Sequence, residues 1–232
     1  CKVVYGSRTF LRRILDLMIL LPKPHSQCQP TKDLQQDLLW WDTFLESFNG
    51  KCDFTEECAV TDIQTDACNS GIGAFFRGDW FYSNLPTDFP TVFSKHINYK
   101  EAFCIVVASL RWAPLWRNKQ IILYCDNTAA VAMFNPGTTA SPFMMHYLRL
   151  LFWVSAVYNF RLKVVYLPGT LNTLADHISR LEEPAHFFAF LSFLHNGPIP
   201  AFSTLSALGH MSVESYQHLL QGSPLPPLMS PP

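Results

Sequence analysis

Four carboxylates stand at the ends of the elements that the sequence pattern predicts. Asp126 follows the apolar residues 121–125, which indicate a strand buried on both faces. Asp66 ends an alternating segment, Glu101 lies in the first turn of a helix, and Asp176 lies at the start of the last helix. Carboxylate oxygens are ligands that Mg²⁺ prefers, and two such ions about 3.5–4 Å apart hydrolyse phosphodiesters. These carboxylates therefore predict metal-dependent cleavage of a nucleic-acid backbone.

Each acidic position also has an ordinary structural explanation. Glu101 and Asp176 each follow a polar residue by three positions, which is the spacing of a helix capping box, and Asp176 could instead compensate a helix dipole. Asp66 could begin a turn, and Asp126 with Asn127 could form an Asx-turn. Taken singly these alternatives stay open, and the common placement at element ends favours the metal site.

The elements that must position the carboxylates follow a β-β-β-α-β-α-α-β-α order. The predicted strands cover 59–67, 70–76, 80–82, 120–125 and 162–167, and the predicted helices cover 98–112, 128–134, 142–158 and 172–181, with a loop over 86–95. This order predicts an α/β domain over residues 59–182, with a mixed five-stranded sheet flanked by helices on both faces. Ligand sites of such sheets lie at the carboxyl ends of the strands, where Asp126 stands.

The flanking regions differ from this domain. Residues 1–58 predict a separate helical segment, with one helix over 8–21 and a second after Thr31 whose apolar face comprises Leu34, Leu38, Trp41, Leu45 and Phe48. The pair Trp40 and Trp41 fits either a core with one exposed aromatic or a helix that grips nucleic acid. Residues 183–232 predict a linker and a truncated tail that is largely irregular, and both ends suggest a piece of a longer protein.

Composition narrows the class of protein. The 232 residues carry a net charge of −1, so a nucleic-acid partner must be argued from local sites rather than from a basic surface. The seven cysteines form no C-x-x-C pair, and no signal peptide precedes them, which favours reduced thiols in the cytoplasm or nucleus. The apolar stretch 143–160 is interrupted by His146, Arg149 and Asn159, so no membrane span is expected.

Four motifs resemble those of retroelement ribonuclease H domains. Residues 65–74 (TDACNSGIGA) look like the first acidic motif, residues 96–101 (HINYKE) the helix motif, residues 124–128 (YCDNT) the third motif, and residues 167–180 (LPGTLNTLADHISR) the last and most specific one. Residues 8–13 and 37–41 resemble the thumb and connection of a reverse transcriptase, and residues 208–220 weakly resemble the lead into a tyrosine recombinase. This combination is similar to the polyprotein of DIRS- or Ngaro-type retrotransposons.

The resemblance implies a ribonuclease H-like fold and hydrolysis of the RNA strand of an RNA–DNA hybrid. Two Mg²⁺ or Mn²⁺ ions would be held by Asp66, Glu101, Asp126 and Asp176. The implied partners are the hybrid and the reverse transcriptase palm and fingers of the same polyprotein. The chain itself has no Y-x-D-D motif and is not expected to polymerise. The loop before the last helix lacks the histidine of cellular relatives, so no protein proton shuttle is expected.

Polar and basic residues are candidates for contacts with the hybrid. Ser70, Asn98 and Asn127 could line its groove, where 2′-hydroxyl contacts distinguish RNA from DNA. Candidate phosphate contacts are Arg111, Arg117, Lys119, Arg161 and Lys163, whose alternative is a solvated charged face.

Two other functions stay open at the level of sequence. The chain could be a catalytically inactive remnant of a retroelement that binds nucleic acid or serves a structural role. It could also be an integrase-like member of the same fold that cuts DNA.

Overall fold

One mixed sheet forms the centre of the molecule. The structure, a computed structural model, describes residues 7–21, 23, 25–47 and 59–196. Its strands are β1 (Val60–Ala67), β2 (Gly71–Phe76), β3 (Asp79–Asn84), β4 (Gln120–Cys125) and β5 (Arg161–Tyr166), in the order β3-β2-β1-β4-β5. The first three strands pair antiparallel, and β4 and β5 extend the sheet in parallel with β1. The predicted α/β class is confirmed, and the arrangement is consistent with a ribonuclease H-like fold.

Helices cover both faces of the sheet. The helices are α1 (Arg8–Leu20), α2 (Lys32–Ser47), α3 (Leu85–Asp88), α4 (Pro90–Phe93), α5 (Ile97–Trp112), α6 (Thr128–Phe134), α7 (Pro142–Tyr158), α8 (Thr173–Ser179) and α9 (Pro184–Asn196). One face carries the main core, in which α5 lies between the sheet and α7 and is buried on every side over residues 100–109. A smaller core between the other face, α8 and α9 contains Trp80, Ile178 and Phe190. Within the described residues, no helix is both long and apolar enough to cross a membrane.

Two predicted irregular segments are helical in part. The predicted loop over 86–95 contains α3 and α4, and the Asn84 side chain caps α3 by accepting from the Thr87 N–H at 3.1 Å. The predicted irregular tail begins with α9, whose Phe190 packs edge-to-face on Trp80 with ring centroids 4.8 Å apart. The tail beyond residue 196 lies outside the described residues.

The N-terminal helices pack on the α/β domain rather than standing apart. Phe10 of α1 stacks on Trp40 of α2 with centroids 4.0 Å apart, and it meets Phe152 of α7 edge-to-face at 5.3 Å. Trp40 is thus accounted for by contacts within the chain. The predicted apolar face of α2 is wrong because Leu38 and Leu45 are 44% and 60% exposed. Phe48, its last member, lies outside the described residues.

A buried ion pair joins the same helices. Arg149 Nη2 of α7 lies 3.1 Å from Asp37 Oδ2 of α2, and Arg13 Nη1 of α1 lies 3.1 Å from Asp37 Oδ1. Asp37 and Arg149 are both buried. The spacing of apolar residues in α2 predicts that Leu38 faces inward. In the structure the neighbouring charged residue, Asp37, is buried instead.

Candidate metal centre

Three of the four predicted carboxylates meet at one edge of the sheet. One carboxylate oxygen each of Asp66, Glu101 and Asp126 lies within 4.8 Å of the other two. Asp66 and Glu101 are 4% and 3% exposed, and Asp126 is partly exposed. The convergence follows from topology, because β1 and β4 are parallel neighbours and their carboxyl ends meet. These three residues are called the acidic cluster below.

Glu101 turns from α5 toward the sheet. Its Oε1 accepts a hydrogen bond from the backbone N–H of Ala67 at 3.3 Å. The N-cap of α5 is His96, whose Nδ1 accepts from the Asn98 N–H at 3.3 Å. The capping-box explanation for Glu101 is therefore wrong, and its carboxylate is directed to the end of β1.

Asp66 is held by a residue from the opposite layer. The hydroxyl of Ser179, at the end of α8, donates to Asp66 Oδ2 at 2.5 Å. Asp66 itself lies within β1 and pairs with Gly73 of β2, so the turn explanation for it is wrong. The Asn172 side chain, just before α8, donates to the backbone oxygen of Thr65 at 2.9 Å and ties the same loop to β1.

Two glycines allow α8 to approach the sheet this closely. A Cβ atom on Gly73 would lie 2.4 Å from the Ser179 nitrogen, and one on Gly71 would lie 2.2 Å from the Ser179 oxygen. No side chain fits at such distances without moving the helix. The two glycines thus bring the hydroxyl of Ser179 within reach of Asp66.

The Asp126 carboxylate is available to the acidic cluster because Asn127, and not Asp126, caps α6. Asn127 Oδ1 accepts from the Ala130 N–H at 2.9 Å as the N-cap of α6, and its Nδ2 donates to Asn98 Oδ1 at 3.0 Å. The residue that serves as a local cap is therefore Asn127. Gly169 lies against the Asp126 carboxylate, since a Cβ there would be 3.1 Å from Oδ2.

Burial and mutual repulsion favour the protonated forms of the cluster. Burial raises the pKa of Asp66 to about 6, with contributions from the charges of Asp126 and Asp176 and a partial offset from the Ser179 hydrogen bond. Burial and the charges of Asp66 and Asp126 raise the pKa of Glu101 well above its ordinary value. The pKa of Asp126 is also raised, mainly by burial. Such a group gains from a cation that neutralises it.

The donor set of the acidic cluster fits a hard divalent cation. Glu101 Oε2 is buried and has no hydrogen-bond partner within the described part of the chain. A buried polar atom is rarely left without a partner, because its desolvation costs about 1–3 kcal/mol or more. Oxygen ligands from three different elements, one of them unsatisfied, match what Mg²⁺ or Mn²⁺ binds.

Asp176 lies beside the acidic cluster and not within it. Its Oδ1 accepts from Arg180 Nε at 2.8 Å, and its Oδ2 lies 3.4 Å from His186 Nδ1. The carboxylate does not form a capping box, because the N-cap of α8 is Asn172 without a side-chain bond. Asp176 is still close enough for its charge to raise the pKa of both Asp66 and Asp126. Its position in the first turn of α8 agrees with the dipole explanation as well.

The predicted contacts with nucleic acid divide into two groups. Asn98 and Asn127 lie beside the acidic cluster, and Ser70 lies in the loop after β1. Arg111 is held by Asp79 through bonds of 3.0 and 2.8 Å, far along α5 from Glu101. The other basic candidates, which precede or lie within β4 and β5, are Arg117, Lys119, Arg161 and Lys163. Asp126, by contrast, follows the carboxyl end of β4. The structure does not gather the basic candidates around the cluster.

The sequence assigns no individual role to several residues that lie next to the site. Ser179 and Arg180 belong to the last motif, but their contacts with Asp66 and Asp176 require the packing of α8 on β1. The loop before α8, residues 167–172, contains no histidine. His177 and His186 nevertheless lie beside Asp176 from α8 and α9. His186 had no signal in the sequence, because α9 was predicted to be irregular.

No protein-family model matches the chain, and no curated protein matches it either.

Proposed function

We propose that the chain is a metal-dependent endonuclease of the ribonuclease H type, which hydrolyses the RNA strand of RNA–DNA hybrids during reverse transcription of a retrotransposon. The observation that carries the proposal is the acidic cluster. Its three carboxylates come from β1, α5 and the end of β4 and meet at one edge of the sheet. The resemblance of residues 65–74 and 167–180 to retroelement ribonuclease H motifs supports the same function.

The acidic cluster would hold Mg²⁺ or Mn²⁺. Asp66, Glu101 and Asp126 supply the oxygens, and Asp176 is proposed to complete the site of a second ion. When bound, the ions supply an activated water and stabilise the negative charge of the transition state.

The residues of the chain itself position these ligands. Ser179 holds one oxygen of Asp66, and the Ala67 N–H holds one oxygen of Glu101, which leaves the buried Glu101 Oε2 without a partner among the described residues. Fixed ligands need no reorganisation when an ion or substrate binds. The linked amides of Asn98 and Asn127 stand at the rim and are proposed to contact the 2′-hydroxyl side of the RNA strand.

A cleavage assay with a labelled RNA–DNA hybrid tests the proposal. We expect the purified chain to cut the RNA strand with Mg²⁺ or Mn²⁺, and Asp126→Asn to remove this activity. Asp62→Asn is the matched control, because Asp62 is an exposed aspartate of the same sheet whose left-handed backbone (φ 71°) suits asparagine. Cleavage that survives Asp126→Asn would contradict the proposed role of the cluster. Duplex DNA offered alone separates this activity from DNA cutting.

A non-cutting remnant is the second candidate, and the position of Asp176 favours it. Both carboxylate oxygens of Asp176 already face cationic or imidazole groups, and its carboxylate is not part of the acidic cluster. Under this alternative the chain binds the hybrid without cutting it at any divalent ion concentration. Binding measured by fluorescence anisotropy, together with the cleavage assay, distinguishes the two functions.

A further inference from the structure

A second group of metal-type ligands lies where α8 meets α9. Asp176 Oδ2, His177 Nδ1 and His186 Nδ1 all lie within 4.8 Å of one another. The separations are 3.0 Å between the two imidazole nitrogens, and 3.4 and 4.0 Å from Asp176 Oδ2 to His186 and His177. This group is called the His–Asp cluster below.

These separations match the size of a transition-metal ion. A point equidistant from three atoms so spaced lies roughly 2.1 Å from each, and zinc binds imidazole nitrogen and carboxylate oxygen at about 2.0–2.2 Å. The three side chains are between 23% and 30% exposed, so an ion and a water have access. The two Nδ1 atoms lie at a hydrogen-bond distance of 3.0 Å, and a cation between them would replace that bond and be bound by both lone pairs.

Outer contacts orient the same ligands. Arg180 Nε holds Asp176 Oδ1 at 2.8 Å, which leaves Oδ2 for the cluster. His186 Nε2, on the far side of its ring, lies 3.8 Å from Glu183 Oε2. Metal-binding histidines commonly have a carboxylate near the ring nitrogen that does not bind the ion, and metal-binding carboxylates commonly accept a hydrogen bond from a further residue.

We propose that Asp176, His177 and His186 form a binding site for a transition-metal ion of the zinc type, with water in the remaining position. Two imidazoles and one carboxylate suit Zn²⁺, Co²⁺ or Ni²⁺, whereas Mg²⁺ prefers oxygen ligands alone. The site therefore differs in metal preference from the acidic cluster.

The bound ion would fix α9 to the sheet. His177 belongs to α8 and His186 to α9, and α9 places Phe190 over Trp80. An ion bound by both helices adds its binding free energy to the stability of this junction. Asp176 is also the predicted ligand of the second catalytic ion, so the two sites would share one carboxylate.

Co²⁺ titration of the full, reduced and chelator-treated chain tests the site. In millimolar Mg²⁺, which occupies the acidic cluster, we expect one Co²⁺ bound with weak visible bands of nitrogen and oxygen ligation, displaced by Zn²⁺. Zinc at about a hundred times its dissociation constant is expected to raise the Tm by roughly 5 °C or more. Neither measurement requires hydrolysis, so failure of the metal site and failure of the proposed nuclease activity are distinguishable.

Matched variants decide whether these residues bind the ion. His186→Asn and His177→Asn should lose the visible bands and the Tm increase. His25→Asn, which changes an exposed histidine elsewhere, and Asp126→Asn, which changes the acidic cluster, should keep both. Glu183→Gln removes the negative charge that lies 3.8 Å from His186 Nε2, so it should weaken binding, and it serves if a histidine variant does not fold. Absorption of the thiolate type only, or equal binding by the wild type and by the folded histidine variants, would overturn the proposal. Equal binding by Glu183→Gln would overturn it if the histidine variants do not fold.

Discussion

The hydroxyl of Ser179 lies 2.5 Å from Asp66 Oδ2 and donates to it across 113 positions of sequence. This bond opposes the effect of burial on Asp66, because it stabilises the ionised carboxylate and lowers its pKa. Ser179 thus acts on the acidic cluster by lowering the pKa of one of its carboxylates.

Replacing Ser179 should change the pH dependence of the site. Without the hydroxyl, the pKa of Asp66 rises above about 6, because a hydrogen bond to a charged group contributes about 1.5 kcal/mol, or roughly one pKa unit. The acidic limb of the Mg²⁺-dependent rate should therefore move up by about one pH unit in Ser179→Ala. The pH–rate profile at fixed Mg²⁺ measures this. Ser192→Ala, which removes an exposed hydroxyl of α9, should leave the profile unchanged, and an unshifted limb in Ser179→Ala contradicts the assigned role.

The ion-free chain should become less stable as pH rises. Asp66 binds its proton more tightly when folded, with a pKa near 6 against the ordinary 3.8, so its stabilising contribution is complete below about pH 4 and is lost as pH rises through 6. The loss from Asp66 alone is about 3 kcal/mol by pH 7. Urea denaturation with a chelator measures the slope, and Asp66→Asn should be more stable than the wild type at pH 7 by a similar amount. Equal stability of the two at pH 7 contradicts the shift.

Gly73→Ala should disturb both the fold and the site. The new methyl group would lie 2.4 Å from the Ser179 nitrogen and 2.7 Å from Ile178 Cγ2, so α8 must move away from β2. We expect a loss of about 3 kcal/mol in the free energy of unfolding and weaker Mg²⁺-dependent activity. Denaturant unfolding checks this against Gly78→Asn, whose side chain meets no atom within 4 Å and whose φ of 85° adds only the backbone strain that asparagine bears better than most residues. A cost in Gly73→Ala no greater than in Gly78→Asn would contradict the packing argument.

Asp37 and Arg149 should behave as a unit. Asp37→Ala leaves the Arg149 guanidinium buried without its partner and should cost about 3–5 kcal/mol. The double variant Asp37→Leu with Arg149→Met should cost less than Asp37→Ala, since no buried charge is left unpaired at this position. Urea denaturation of Asp37→Leu, Arg149→Met and the double variant, beside Asp37→Ala, measures the difference. Simple additivity of the two changes would show that the pair is not coupled.

The sheet and the acidic cluster were largely predictable because their signals are local. Alternation in β1, the apolar run of β4 and the motif around residues 65–74 fix which strands end in Asp66 and Asp126. Parallel pairing of these strands then brings their carboxyl ends together without any information about side chains.

The remaining details depend on tertiary contacts that a local pattern does not contain. The Asp176 carboxylate contacts Arg180 and His186 and does not join the acidic cluster. The contact with His186 depends on where α9 lies. Arg111 is drawn to Asp79 on a distant strand. The inward position of Asp37 in α2 depends on Arg149 in α7, so hydrophobic spacing alone assigned the wrong face.

The packing at the two ends of the described chain limits where the α/β unit can be excised. A fragment that starts at residue 59 would lack Asp37 and Phe10, and so would strip Arg149 of its counter-charge and uncover the ring of Phe152. A fragment that stops before residue 184 would expose Trp80 to water by removing Phe190. The smallest unit that keeps its interior intact therefore runs from about the start of α1 to the end of α9, and the helices outside the motif-bearing region belong to its architecture.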